Sequence, residues 1–192
     1  MEEFLDGEEV SFLVLSDGTR VVPMASVQDH KRALDGDQGP NTGGMGTVSP
    51  ATNLRLDAHK SIMQEIILPT IAGMDAEGRR FLGVLYAGLM MTESGPKVLE
   101  FNARFGDPEA QAIMARMRSD IVPLLQQGAA GQIGETRIDW AKEPSCCVVL
   151  ASRGYPDNPD TGHPVHGLES LKGEDWNDVV VYHAATKKDD DT

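Results

Sequence analysis

Leu99-Glu100-Phe101-Asn102-Ala103-Arg104-Phe105-Gly106-Asp107-Pro108-Glu109 is the most informative stretch of this chain. Read as a strand running into a turn, it alternates: Glu100, Asn102 and Arg104 project from one face, and Leu99, Phe101 and Ala103 from the other. A carboxylate beside an amide oxygen suits a hard divalent ion such as Mg²⁺, which takes one or two protein oxygens and leaves its other positions to water and phosphate. A guanidinium next to them can clamp a phosphate or carboxylate through two parallel N–H bonds. Spacing alone more often describes a solvated sheet face with an ordinary Glu/Arg pair, because exposed alternating strands are common.

Working outward, Glu93-Ser94-Gly95 turns an apolar run over 81–91 back onto 97–102, so a hairpin carries Glu100 and Asn102. After Pro108, Ala112, Ile113 and Met117 fall at helical spacing, and Ser119 or Asp120 can cap a second helix running to about Gln127. Upstream, the spacing of Ala58, Ile62, Ile66 and Ile67 predicts helix over roughly 57–74, with Pro69 a candidate stop. Another hairpin is predicted from 8–15 and 20–23 around Ser16-Asp17-Gly18-Thr19. Between hairpin and helix, the glycines and proline of 35–46 predict a long loop with no regular element. Downstream, Gly128-Ala129-Ala130-Gly131 reads as a linker, 145–152 and 179–183 as strands, and the last residues as a solvated end.

The charge balance excludes some partners. With 17 Lys+Arg against 30 Asp+Glu, the net charge of −13 repels nucleic-acid phosphates and anionic lipid, and no basic patch reverses that field. Apolar runs such as Val148-Val149-Leu150-Ala151 are far short of the roughly 20 residues that span a bilayer. Cys146 and Cys147 are neighbours, and a ring joining them is strained, so reduced thiols and a cytoplasmic setting are expected. The first residues, Met1-Glu2-Glu3-Phe4, have neither a basic nor an apolar signal region.

Other candidates are weaker. Gly39 to Gly46 could offer successive backbone N–H groups to an anion, with Asp29-His30-Lys31-Arg32 supplying charge beside it, but it lacks the Gly-Lys-Ser/Thr ending of a P-loop and equally describes a flexible connection. His163 and His166 are spaced for a metal, yet no Cys or acidic cluster completes the set.

Taken in order, Glu-Glu-Phe-Leu-Asp-Gly-Glu-Glu from Glu2, Gln-Asp-His-Lys-Arg from Gln28, Asp-Gly-Asp-Gln-Gly-Pro-Asn-Thr-Gly-Gly-Met-Gly from Asp35, Leu-Tyr-Ala-Gly-Leu-Met from Leu85 and Leu-Glu-Phe-Asn-Ala-Arg-Phe-Gly-Asp-Pro-Glu from Leu99 resemble the phosphoribosylamine–glycine ligase (glycinamide ribonucleotide synthetase) family. These are ATP-grasp enzymes of purine synthesis. The resemblance covers nearly the whole chain, and Cys-Cys-Val-Val-Leu-Ala-Ser-Arg-Gly-Tyr-Pro from Cys146 matches the start of the family's C-terminal domain.

The resemblance implies an α+β fold: the C-terminal half of an ATP-grasp module, an antiparallel sheet with flanking helices, over 1–128, a linker over 129–144, and the start of a small β-rich domain over 145–192. It implies that Glu2, Glu3, Phe4 and Leu5 form the hinge against adenine, that Glu9 meets the ribose hydroxyls, and that Glu100 and Asn102 hold Mg²⁺ or Mn²⁺. Lys31 and Arg104 would face phosphates or the acyl phosphate, and the 35–46 loop with Asp107 and Pro108 would help hold the amine or glycine. The reaction implied activates glycine with ATP as glycyl phosphate, which the amine of phosphoribosylamine attacks. The family's N-terminal domain and glycine-rich lid would lie before Met1. The chain alone is therefore expected to bind nucleotide weakly and turn over little, with a complementary N-terminal chain or fragment as a candidate partner; a non-catalytic fragment or scaffold with residual nucleotide and metal binding, and an ATP-grasp ligase of other substrate choice, stay open as alternatives.

Overall fold

The structure, a computed structural model, describes residues 3–171 and 176–188. Contacts divide the chain into two units, Met1–Pro159 and Asp160–Thr192.

The first unit is built on the strands β1 (Glu8–Asp17), β2 (Val21–Pro23), β3 (Gln28–Asp29), β4 (Arg32–Leu34), β5 (Gln38–Asn41), β6 (Gly46–Ser49), β7 (Leu82–Thr92), β8 (Gly95–Asn102) and β9 (Ser145–Val148). A four-stranded sheet runs β2-β1-β7-β8, a smaller one β3-β6-β9, and β4 pairs with β5. The named pairings are antiparallel, so the α+β expectation holds.

β1 explains why its sequence alternates only partly: both of its faces are buried. Phe12 and Val14 enter one core with Ile62, Ile67, Ile71, Leu85, Ala87 and Leu89. Leu13 and Leu15 enter the other, with Val84, Tyr86, Ala112, Ile113, Leu124 and Ile133. Removing each such Leu, Ile or Phe from water contributes about 1.5–3 kcal/mol before the entropy of ordering it.

Helices cover both faces. Beside the first core, α1 (Leu56–Ser61) passes into a π-helical stretch, Ile62–Ile67, and then α2 (Leu68–Ala76). The helix does not stop at Pro69: that residue occupies the first turn of α2, where bonding changes from i→i−5 to i→i−4 and a missing N–H is tolerated. Against the second core lie α3 (Glu109–Arg116) and α4 (Ile121–Ala129). Asp120 rather than Ser119 caps α4, accepting from the Val122 N–H at 2.9 Å. Gly128, in the last turn of α4, packs on Leu15, and past the helix Ile133 is buried at 1% exposure, its N–H donating to Asp17 Oδ2 at 3.0 Å.

Three expectations need correction. The 35–46 segment is not free of regular structure: Gln38–Asn41 pairs with Arg32–Leu34 across a turn in which Asp37 and Gly36 have φ of 56° and 70°. Glycine there makes the hairpin turn instead of preventing the hairpin. Second, the alternation of β8 breaks. Gly88 pairs with Glu100 and Leu89 with Val98, so Leu99 is an extra, bulged residue, and β8 ends at Asn102 before Arg104. Third, 179–183 forms no strand, and Val179 to Tyr182 stay 45–66% exposed, because an apolar run without a pairing partner makes no sheet.

Candidate functional site

The sheet register gathers the polar residues. Across β1, β7 and β8, Glu9 aligns with Met90 and Lys97, Ser11 with Gly88 and Glu100, and Leu13 with Tyr86 and Asn102. Residues directly opposite share a face, so Glu9, Ser11, Tyr86, Glu100 and Asn102 stand on one side of the sheet. Gly88 has a steric reason to be glycine: a Cβ there would lie 3.1 Å from Glu100 Cγ and 3.4 Å from Tyr86 Cε1.

Glu100 and Asn102 meet. Asn102 Nδ2 donates to Glu100 Oε1 at 3.0 Å, with Glu100 exposed and Asn102 half-buried. The pair fits a divalent ion in its chemistry: both ligands are hard oxygens, two protein ligands are what Mg²⁺ usually takes, and the amide turned over presents oxygen in place of nitrogen. Beside them Lys31 Nζ pairs with Glu9 Oε2 at 3.1 Å. Burial would lower the Lys31 ammonium, but its bond to Glu9 and the charges of Glu9, Asp29 and Glu100 outweigh that and raise it. It is therefore charged throughout the neutral range.

The remaining expected residues are more scattered. Glu2 lies outside the described residues. Glu3 reaches Lys97 at 3.8 Å, which brings the amino-terminal segment to β8; Phe4 is 92% exposed and Leu5 half-buried. Arg104 is exposed, donating to the Phe105 carbonyl at 2.9 Å, and Asp107 accepts from Gln111 Nε2 at 2.7 Å. Neither has a bond to the Glu9–Lys31 or Glu100–Asn102 pairs. In the glycine loop the N–H groups of Thr42, Gly43, Gly44 and Met45 are engaged by Lys31 O, Tyr155 OH, Thr42 Oγ1 and His30 O. That loop is folded against the Lys31 segment and does not offer a run of free N–H groups.

Three buried groups were missed. Glu109 is 3% exposed, and its Oε1 accepts from Ser11 Oγ and Tyr86 OH, each at 2.9 Å, while those two hydroxyls lie 2.8 Å apart. Gly106 leaves the room for it, since a Cβ there would strike the Glu109 carboxylate. Asp29, 8% exposed, has an Oδ1 with no hydrogen-bond partner. Desolvation first, then the charges of Glu109 and Glu9, push its carboxyl up to about 7 against the opposing pull of Lys31 and the His30 N–H. Tyr86 is likewise raised, chiefly by burial. Ser11 inside an apolar strand and Glu109 directly after Pro108 were the available signals.

Among the described residues, no group of three or more His, Cys, Asp or Glu is placed to hold a metal, and no helix is long and apolar enough to cross a membrane. Cys146 and Cys147 are free thiols, and His163 lies 3.7 Å from Asp160 in the second unit.

Comparison with known proteins matches residues 1–110 to the family described as phosphoribosylglycinamide synthetase, ATP-grasp (A) domain, and residues 145–192 to its C domain. The chain is 54% identical over 188 residues to a phosphoribosylamine–glycine ligase of Yersinia pestis, covering 97% of this chain and 43% of that protein. It is 52% identical over 192 residues to the enzyme of the same name from Salmonella typhimurium, covering 100% of this chain and 44% of that one. The crystal structure of a phosphoribosylamine–glycine ligase from Thermotoga maritima superposes with a TM-score of 0.76 at 38% identity, over 83% of this chain and 40% of that one. An N5-carboxyaminoimidazole ribonucleotide synthetase from Thermus thermophilus shares the fold alone, with a TM-score of 0.54 at 18% identity over 78% of this chain and 38% of that one. The chain thus spans less than half the length of the curated relatives it matches.

Proposed function

This chain belongs to the phosphoribosylglycinamide synthetase family, and from that premise we propose that it carries one wall of a site for ATP-dependent ligation of glycine to phosphoribosylamine in the cytoplasm. The observation that supports this best is the meeting of Glu100 with Asn102 on the sheet face that also carries the Glu9–Lys31 pair. Bound ATP supplies the phosphoryl group that activates the glycine carboxylate, with Mg²⁺ or Mn²⁺ neutralising its phosphates. Glu100 and Asn102 hold that ion. Glu3, Phe4 and Leu5, with Glu2 before them, line the adenine, and Glu9 receives the ribose hydroxyls. Its release from Glu9 then frees Lys31 for the phosphates, where a preorganised cation offsets the charge that accumulates in phosphoryl transfer.

Arg104 and Asp107 belong to the same reading as substrate contacts, since both are exposed and lie just beyond β8. Within the division into 1–128, 129–144 and 145–192, the boundary at 145 is supported by where the second family match begins. We assign little turnover to this stretch by itself, because one wall cannot exclude water from an acyl phosphate.

The test is phosphate release from the chain given ATP, Mg²⁺, glycine and phosphoribosylamine, without and with the missing amino-terminal part of a relative. Release only in the supplemented mixture is expected; none in either overturns the ligase reading. Mn²⁺ titration in the presence of nucleotide checks the metal assignment separately. Glu100→Ala is expected to weaken the ion at least about tenfold, and unchanged affinity would remove it.

A further inference from the structure

Asp29 sits at the end of β3, its backbone paired with Thr47 of β6, and its Oδ1 is the unpartnered atom beneath the glycine loop. What lies over it is backbone: a Cβ on Gly44 would come within 2.9 Å of that oxygen and would also collide with Pro108. The charged and titratable groups facing it are Glu109 from α3, Glu9 from β1, Tyr86 from β7 and Lys31 from its own segment. Lys31 is already paired with Glu9. Glu109 gathers two hydroxyls and no cation, and the three mutual contacts of Glu109, Ser11 and Tyr86 exceed the two hydroxyl protons available to a carboxylate. Two carboxyl groups are therefore buried within electrostatic reach of each other while the nearby Lys31 is already paired, and leaving a buried lone pair unpaired is costly. Such a setting suits a proton or the proton-bearing nitrogen of an amine.

We propose that Asp29 is the proton acceptor for the amine nucleophile, reached beneath Gly44 and beside the phosphate-binding Lys31. This rests on the ligase reading above. The amine nitrogen attacks the carbonyl carbon of glycyl phosphate and a C–N bond forms. The C–O bond to phosphorus's oxygen breaks, and its electron pair leaves with inorganic phosphate. The N–H proton passes to Asp29 Oδ1, and Asp29 later returns it to water. A base whose affinity for protons matches the working pH is the effective kind, and here burial first, and then the neighbouring charge of Glu109, keep Asp29 from being too weak a base.

The unmutated chain, labelled with ¹³C at aspartate carboxyls, is titrated from acid to mildly alkaline pH with and without methylamine. One resonance, absent from Asp29→Asn, is expected to titrate near pH 7 and to move to lower pH when methylamine is added, with shifts at the Gly44 and His30 amides. A resonance that titrates in the ordinary carboxylate range, or that ignores methylamine, overturns the proposal. In the supplemented turnover mixture, Asp29→Asn is expected to lose about 100-fold with phosphoribosylamine, and the rise of the unmutated rate with pH through the neutral range is expected to disappear with it. An unchanged rate, or an unchanged pH profile, in Asp29→Asn overturns the proposal. Absence of turnover in the unmutated mixture counts against the ligase reading, and the methylamine-linked titration then decides for or against Asp29 by itself.

Discussion

Asp17 and Asp29 are both buried carboxyls, and they bias stability with pH in opposite directions. Burial would raise Asp17, but the N–H groups of Arg20, Thr19 and Ile133, at 2.7, 3.0 and 3.0 Å, and the charge of Arg80 hold it below its ordinary 3.8. Its contribution is full above 3.8 and fades as pH falls through the lowered folded value. Asp17→Asn is therefore expected to cost about 1–3 kcal/mol at neutral pH in urea unfolding, the gap narrowing in acid. Asp29 is raised, so the folded state binds its proton more tightly than the unfolded chain does. That advantage is full below 3.8 and is lost as pH rises through about 7. Asp29→Asn should accordingly gain on the unmutated chain between those values and keep a constant lead above them, as read from paired urea midpoints. Glu100 and Asn102 were legible in the sequence because side-chain alternation is a local rule. Asp29 and Glu109 were not, because what buries them arrives from elsewhere: Gly44 over the first, Ser11 and Tyr86 around the second.

Among the elements, hairpins and helices announced themselves where turn residues and caps sit next to an apolar pattern. Asp120→Ala is expected to cost about 1 kcal/mol through loss of the α4 cap, measurable as a lower denaturation midpoint with an unchanged slope. β6 is held to β9 at close range: a Cβ on Gly46 would come within 2.6 Å of the Cys147 carbonyl oxygen. Because that obstacle is backbone, Gly46→Ala should destabilise by about 1–3 kcal/mol and lower the melting temperature. The β8 bulge escaped the sequence reading since one extra residue leaves no mark in composition. Its effect is functional: it keeps Glu100 on the face of Ser11 while returning Lys97 to that of Glu9. The β4–β5 hairpin escaped for the opposite reason, glycine and proline masking a short pairing that depends on Arg32, whose Nη1 donates to the Gly39 carbonyl at 2.7 Å.

At the scale of the whole molecule, β8 is an edge strand that leaves Val98, Leu99 and Phe101 at 40%, 41% and 43% exposure. Open edges with apolar side chains invite pairing with another chain, while a net charge of −13 opposes it. Association is thus expected to grow as salt screens the repulsion, and Leu99→Lys should suppress it in sedimentation velocity. Arg116, buried on α3, donates to Ser49 Oγ at 3.0 Å, to the Ala141 carbonyl at 3.0 Å and to the Glu143 carbonyl at 3.1 Å. One guanidinium thereby rivets three stretches of chain far apart in sequence, just where β9 is delivered to its sheet. Amide protons along β9 and β6 should consequently exchange in step rather than one by one, as a flap hinged on a single pin.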